Sequence, residues 1–267
     1  MGVTAQFIAT QLDQQPVVAI ELDEVALHYG TGTKLREIIN PLKLSIEEGS
    51  FVCVLGPSGC GKTSLLRMLA GYLAPTDGKI ELFGQTHVKP GPDIGVVFQH
   101  SNLFPWLTVR NNVAFGLKMA GISRSERNQR TQHGLEQVGL AHAAGLYPHQ
   151  LSGGMKQRVA LARTLITEPS ILLMDEPFAA LDAITRETLQ LQLKELWRNE
   201  KRTIFFITHD VDEALLLGTR IIVLSPSPGR IKEDITNTVH NPLSSLSGRQ
   251  STQYAALRER LVTSLKV

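Results

Sequence analysis

Long apolar runs are missing from this sequence. No stretch of its 267 residues approaches the ~18 consecutive apolar side chains that cross a bilayer. No helix of the chain is therefore expected to span a membrane. An export signal is missing too, because Met1 to Gln15 is polar and Gln-rich, with no basic segment leading into an apolar one. That reading expects a chain that stays in the cytoplasm. An excess of one charge sign is also lacking. Lys and Arg number 27 and Asp and Glu 25, giving a net charge of +2. The basic field that accompanies nucleic-acid binding is absent, and no nucleic acid is expected as a partner. Cysteine is scarce. Cys53 lies in an apolar run and reads as core, and Cys60 lies in a Gly-rich loop where its backbone matters more than its thiol. Neither is expected to form a disulfide or hold a metal. Internal repeats and heptad runs are absent as well.

What is present is a chain with 42% apolar residues, enough for a sizeable core in one large or two small domains. Residues 18 to 49 alternate apolar and polar side chains, as at Leu42, Leu44 and Ile46, which predicts antiparallel strands with one wet face. Phe51 to Leu55 is an apolar run ending in glycine, the mark of a buried strand. Leu65, Leu66 and Leu69 then recur at helical spacing over Lys62 to Ala70. Further strands are predicted at Ile94 to Phe98, Ile171 to Met174, Thr203 to Ile207 and Arg220 to Leu224, the last three separated by helices. Ala183 to Asn199 is the clearest helix, with Leu189, Leu193, Leu196 and Trp197 on one face. Strand, glycine turn, helix, strand repeated in this way predicts an α/β fold around a mostly parallel sheet. Between Gln99 and Leu151 the strand signals vanish, which predicts an inserted helical subdomain at about 100–160. The expected organisation is a polar tail at 1–17, one large domain at 18–240, and a C-terminal link and short helix at 241–267. The Ser-rich link at 244–251 is expected to be mobile. Only about thirty residues follow Ile235, so no further large domain is expected there.

Gly56-Pro57-Ser58-Gly59-Cys60-Gly61-Lys62-Thr63 follows a predicted strand and opens a predicted helix. This is the phosphate-binding loop in its proper context. Its glycines let successive N–H groups point at phosphate oxygens, and the new helix adds its positive end. Lys62 is placed for the β- and γ-phosphates, the Thr63 hydroxyl for Mg²⁺, and Ser64 follows in the same helical turn. Asp175 ends an apolar strand, where ligands bind in such folds, and is placed to hold Mg²⁺ through water. Glu176 comes next, where a carboxylate can act as general base on the attacking water. Leu151-Ser152-Gly153-Gly154 also opens a helix, with Ser152 as N-cap. Two glycines in a first helical turn cost stability, but they make a second anion site, which predicts service to the nucleotide of a neighbouring subunit.

With these motifs in this order, the chain resembles the ATP-binding subunit of ATP-binding cassette (ABC) transporters from about Val18 to Ile235. The resemblance implies a P-loop NTPase fold of the ABC type, with an N-terminal antiparallel β subdomain and the helical insertion. It implies ATP and Mg²⁺ as cofactors, and two cassettes, identical or homologous, paired head to tail around two ATP. It further implies that Tyr29 stacks on adenine, that Gln99 senses Mg²⁺ and the attacking water, and that His209 contacts the γ-phosphate. Asp182, in Ala180-Leu181-Asp182, matches the loop that crosses the dimer interface. One departure is Met155, where the family signature usually has Gln or Glu. The Ser and both glycines are intact, so activity is expected to survive without one side-chain contact across the interface. Leu103 to Val109 (LFPWLTV), Asp175 to Phe178 (DEPF) and Leu224 to Arg230 (LSPSPGR) resemble the importers of nitrate, sulfonates and taurine. The expected role is therefore an ATPase on the cytoplasmic face of the membrane. It would drive separate permease subunits and depend indirectly on a substrate-binding protein. Phe104, Trp106 and Leu107 would pass the motion on, unless they are subdomain core. The alternatives are an exporter ATPase or a soluble cassette acting outside transport.

Overall fold

In the computed structural model of the protein, residues 17–30, 35–239 and 251–266 are described. The tail other than Val17, and the Ser-rich link other than Ser251, fall outside them. The strands are β1 (Val18–Tyr29), β2 (Arg36–Glu47), β3 (Phe51–Leu55), β4 (Asp77–Leu82), β5 (Gln85–Thr86), β6 (Ile94–Val97), β7 (Ile171–Asp175), β8 (Thr203–Ile207), β9 (Arg220–Leu224) and β10 (Ile231–Thr236). The helices are α1 (Lys62–Leu69), α2 (Val109–Met119), α3 (Arg124–Gln137), α4 (Gly153–Leu165), α5 (Ala183–Glu200), α6 (Val211–Leu217) and α7 (Thr252–Leu265).

Two sheets result. The first is antiparallel, in the order β2-β1-β4-β5, with Leu22 opposite Leu44 and Leu27 opposite Ile39. The second runs β10-β9-β3-β8-β7-β6, parallel except for β10. Its central strands read as continuous apolar runs because both faces are covered. Phe51, Cys53 and Leu55 of β3 join Met174 and Phe206 in the cluster under α5 and the helical insertion. Val52 and Val54 point the other way, with Leu173, Phe205 and Ile207, against α1 and the antiparallel sheet. Two-residue alternation thus bonds one sheet to two cores. Thr203–Ile207 and Arg220–Leu224 are strands with the bounds their apolar runs predict. β4 and β5 escape the pattern because only Ile80 of β4 is buried and β5 is exposed.

The helical insertion carries α2, α3 and the start of α4. Thr108, Ser123 and Ser152 cap these helices, each side chain accepting the N–H three residues on. Asn112 of α2 is fully buried. Its amide donates to the carbonyls of Phe104, Leu107 and Thr108 at 2.9–3.1 Å and accepts from Phe104 N–H at 2.8 Å. That one side chain fixes the 104–108 loop and leaves Trp106 on the surface, 71% exposed, beside Phe104.

The sheets are joined behind the phosphate loop. Gly229 donates its N–H to Ile38 O at 2.8 Å and accepts Asn40 N–H at 2.9 Å. A Cβ there would lie 2.1 Å from the carbonyl oxygen of Cys60. Gly229→Ala is therefore expected to push the loop out of place. Overpacking of this kind costs about 1–3 kcal/mol, read as a Tm a few degrees lower together with weaker ATP binding by titration. An unchanged Tm and dissociation constant would mean that the loop yields freely.

Candidate active site

β3 ends at Leu55 and α1 begins at Lys62, so residues 56–61 form the turn between them. Gly59 (φ +80°) and Gly61 (φ +95°) take left-handed conformations that side chains resist. A Cβ on Gly59 would meet no atom within 4 Å, so the concave side of the loop is open, and Ser58 beside it is exposed. The convex side is packed. Gly61 lies against Ile39, and the fully buried thiol of Cys60 sits 2.8 Å from where a Cβ on Gly56 would be. Cys60 therefore contributes its side chain as the plug under the loop, a role beyond the backbone one read from the sequence. No side chain caps α1, which leaves its first N–H groups and its positive end to an anion. Lys62 is 8% exposed, and its Nζ donates to Gly56 O at 2.6 Å and Pro57 O at 3.0 Å. The ammonium is thus held across the loop mouth.

Three other segments converge here. The Thr63 hydroxyl donates to Asp175 Oδ2 at 2.9 Å, joining the start of α1 to the end of β7. This oxygen donor pair, one hydroxyl and one carboxylate, suits a hard divalent cation such as Mg²⁺. Burial raises the Asp175 carboxyl above its ordinary value, the Thr63 bond opposes this, and the neighbouring Glu176 adds to it. Glu176 has φ +47°, unusual for a side chain of its size, and its N–H is held by Ile207 O at 3.0 Å. Gln99 Nε2 donates to Glu176 Oε2 at 3.4 Å, and His209 Nδ1 lies 3.3 Å from the same oxygen. Five residues taken from four places in the sequence, Thr63, Gln99, Asp175, Glu176 and His209, thus form one chain of contacts. A small cavity of about 60 Å³ opens beside Glu176 and His209, also lined by Thr208 and Asp210.

The remaining sequence-predicted residues lie elsewhere on the chain. Ser152 and Gly153 are exposed at the N-terminus of α4, with the Ser152 hydroxyl accepting Met155 N–H at 3.3 Å. A Cβ on Gly153 would meet nothing within 4 Å, whereas one on Gly154 would lie 3.4 Å from Leu181. The Ser-Gly-Gly segment and the Ala180–Asp182 segment therefore adjoin within one chain. Asp182 is exposed and caps α5 through Thr185 N–H, a bond that lowers its carboxyl below the usual value. Met155 packs partly buried against the larger core. Tyr29 ends β1, 51% exposed, opposite Arg36 on the sheet whose Ile39 supports Gly61. A cleft of about 500 Å³ lies between α3, α4 and α5 and contains none of the motif residues. The phosphate loop is open on its concave side, where a Cβ on Gly59 would meet nothing within 4 Å.

Sequence reading missed the supports. Buried Gln157 donates to Phe98 O at 3.0 Å, fixing the strand end before Gln99. Arg163 donates to Ser101 O and Asn102 O and lies over the Phe104 ring. Both are on α4, which thereby ties the Gln99 loop to the helix that Ser152 begins. Glu213 is buried on α6, and burial raises its carboxyl above the ordinary value. It accepts Gln190 Nε2 at 2.7 Å and steadies the segment just after His209. A polar residue at an apolar helix position was the only signal for Gln157 and Glu213.

Comparison with known proteins agrees with this geometry. The ABC transporter family model matches residues 39–179. The taurine import ATP-binding protein of Rhizobium johnstonii is 47% identical, over 84% of this chain and 87% of its own. The nitrate import ATP-binding protein of Synechocystis is 50% identical, over 73% of each. A solved dimeric ATP-binding cassette in a post-hydrolysis state, bound to ADP and Pi, superposes with a TM-score of 0.75 at 33% identity, covering 82% of this chain and 98% of that one. With a phosphate loop, a carboxylate pair and a Ser-Gly-Gly helix start on this fold, the chain belongs to the ABC transporter family and carries its ATP-binding cassette.

Proposed function

We propose that the chain is the ATP-hydrolysing subunit of a membrane importer for a small anion such as nitrate, sulfonate, taurine or bicarbonate. It works at the cytoplasmic face of the membrane, pairs with a second copy or a homologous cassette around two ATP, and drives separate permease subunits served by a substrate-binding protein. The import role is supported by the relatives, which are named for taurine and nitrate import. No helix among the described residues is long and apolar enough to cross a membrane, in keeping with separate permeases. The observation that carries the chemistry is the pairing of Thr63 with Asp175 and of Gln99 and His209 with the adjacent Glu176.

In this reading residues 56–61 bind the phosphates through backbone N–H groups, and Lys62 neutralises the β- and γ-phosphates. Mg²⁺ would be held by Thr63 and Asp175, with Gln99 nearby, and would supply charge neutralisation at the phosphates. Its own charge would also favour the ionised form of Asp175. Glu176 takes the proton of the attacking water, oriented by Gln99, and His209 contacts the γ-phosphate. Ser152, Gly153 and Gly154 of one copy close on the nucleotide of the other, beside Asp182. The exposed Trp106, held by the Asn112-fixed loop near Gln99, faces the permease. Closure reports a γ-phosphate because the second anion site has nothing else to bind.

The test is ATP hydrolysis and ATP-driven pairing of the purified chain, followed by transport reconstituted with a permease that co-purifies with it. Phosphate release no faster than the blank with permease present would overturn the reading. Tyr29→Ala is expected to raise the ATP dissociation constant about fivefold, the low end of base stacking at ~1 kcal/mol, because the ring is half exposed. An unchanged constant would place the adenine elsewhere.

A further inference from the structure

The C-terminal helix α7 has no part in the proposed ATP chemistry, yet it is tied to the segment that follows His209. Its apolar side is seated on the larger core, with Leu261 fully buried and Leu257 and Val262 partly so. Its far end is anchored on β10, where Lys232 Nζ donates to Ser264 O at 2.7 Å and Arg260 pairs with Glu233. Its near end meets α6. The Tyr254 hydroxyl donates to Asp212 Oδ1 at 2.7 Å, Arg258 Nε to the same oxygen at 2.8 Å, and Arg258 Nη2 to Oδ2 at 3.2 Å. Tyr254 is 9% exposed, so its hydroxyl approaches Asp212 from a fixed ring.

Asp212 is three residues from His209, and the intervening chain is stiff. Asp210 N–H donates to Thr208 Oγ1 at 3.0 Å, and the Asp210 carboxylate caps α6 by accepting the N–H groups of Asp212 and Glu213. On the inner side of α6, Glu213 is bound to Gln190 of α5. On the outer side, Asp212 is bound to α7. The helix that sets the height of His209 is thus gripped from both sides, and α7 supplies the outer grip.

We propose that α7 is a latch for the switch histidine. Tyr254 and Arg258 are positioning residues that hold Asp212, and through it the start of α6, so that His209 stays within reach of Glu176. A bidentate guanidinium and a buried phenol suit this task because they fix a carboxylate in direction as well as distance. Release of α7 lets α6 shift and draws His209 away from the γ-phosphate without changing the phosphate loop. The inference rests on the proposed role of His209.

The experiment uses the full chain and the substitutions Tyr254→Phe and Arg258→Ala, singly and together. Leu261 and the Lys232–Ser264 bond remain to seat the helix in each variant. The double variant is expected to lower kcat about 5- to 20-fold with KM for ATP within about twofold, the pattern of a lost transition-state contact. Arg258→Lys should recover part of the loss. In a His209→Ala background, measured by single turnover over hours, the same pair should lower the rate no further. Equal fold losses in both backgrounds, or an unchanged kcat in the double variant, would overturn the proposal. Hydrogen exchange at residues 206–217 gives a separate readout, expected to rise about threefold or more when the latch is cut. A chain that hydrolyses no ATP would defeat the proposed function, and unchanged exchange would defeat the latch.

Discussion

Glu176→Gln is expected to lower steady-state ATP hydrolysis at least ~100-fold, because a positioned general base contributes about 10²–10⁴ in rate. At 1.36 kcal/mol per decade that is roughly 3–5 kcal/mol of barrier. The substitution preserves shape and removes only the ability to take a proton. Glu176 N–H would keep its bond to Ile207 O, and the turn at φ +47° would not change. Gln99 and His209 would still find a carbonyl oxygen where Oε2 stands. Lys62, Thr63 and Asp175 are not touched, so the ATP dissociation constant should stay the same. With binding intact and hydrolysis blocked, closed pairs should accumulate. Size-exclusion chromatography with ATP should then show a dimer that ADP does not produce. Near wild-type turnover would remove Glu176 from the base role and pass it to His209, the other group at that oxygen able to accept a proton. A variant that no longer binds ATP would instead mean that the carboxylate shapes the phosphate site.

The parts of this molecule that were legible in the sequence are those with a short local period or a fixed spacing. Thr203–Ile207 could be read because both faces of a parallel strand are buried, so the whole run is apolar. The phosphate loop could be read because its glycines, Lys62 and Thr63 are contiguous. β4 could not be, since one buried residue in six makes no pattern. Nor could the contacts that bring the site together. Thr63 and Asp175 are 112 residues apart, and Gln99 and Glu176 are 77 apart. No window of sequence contains such pairs, and only motif order within a family joined them beforehand. The supports were hidden for another reason. Gln157, Arg163 and Asn112 bind backbone carbonyls of loops, and a carbonyl leaves no trace in the residue type. Cys60 shows the same limit at the loop floor, where a small buried side chain matters through its volume. The C-terminal helix was visible as a short helix within 241–267, but its docking on α6 of its own chain was not.

Gly153→Asp is expected to abolish ATP-driven pairing and to lower hydrolysis more than ~100-fold, while leaving the isolated chain as stable as before. The site allows this separation. A Cβ on Gly153 meets nothing within 4 Å, and the residue is exposed, so the new side chain fits without strain. It stands at the first position of α4, where an acidic group is favoured by the helix end by about 0.3–1 kcal/mol. Tm should therefore hold or rise slightly. Binding of ATP to one chain should stay within about twofold, since the phosphate loop is untouched. In the closed pair, however, the carboxylate would face the γ-phosphate on the partner. Juxtaposed like charges cost several kcal/mol, and moving the pair from 1:99 to 99:1 needs only about 5.5 kcal/mol of differential binding. Most of that driving force would be lost. Ser152→Ala is a poorer probe, because it also removes the cap on Met155 N–H, worth about 1 kcal/mol to the helix itself. Analytical ultracentrifugation in the Glu176→Gln background decides the matter. A Gly153→Asp chain that still dimerises with ATP would mean that the glycine pair faces solvent in the closed form, and that the second half of each nucleotide site is built from other residues.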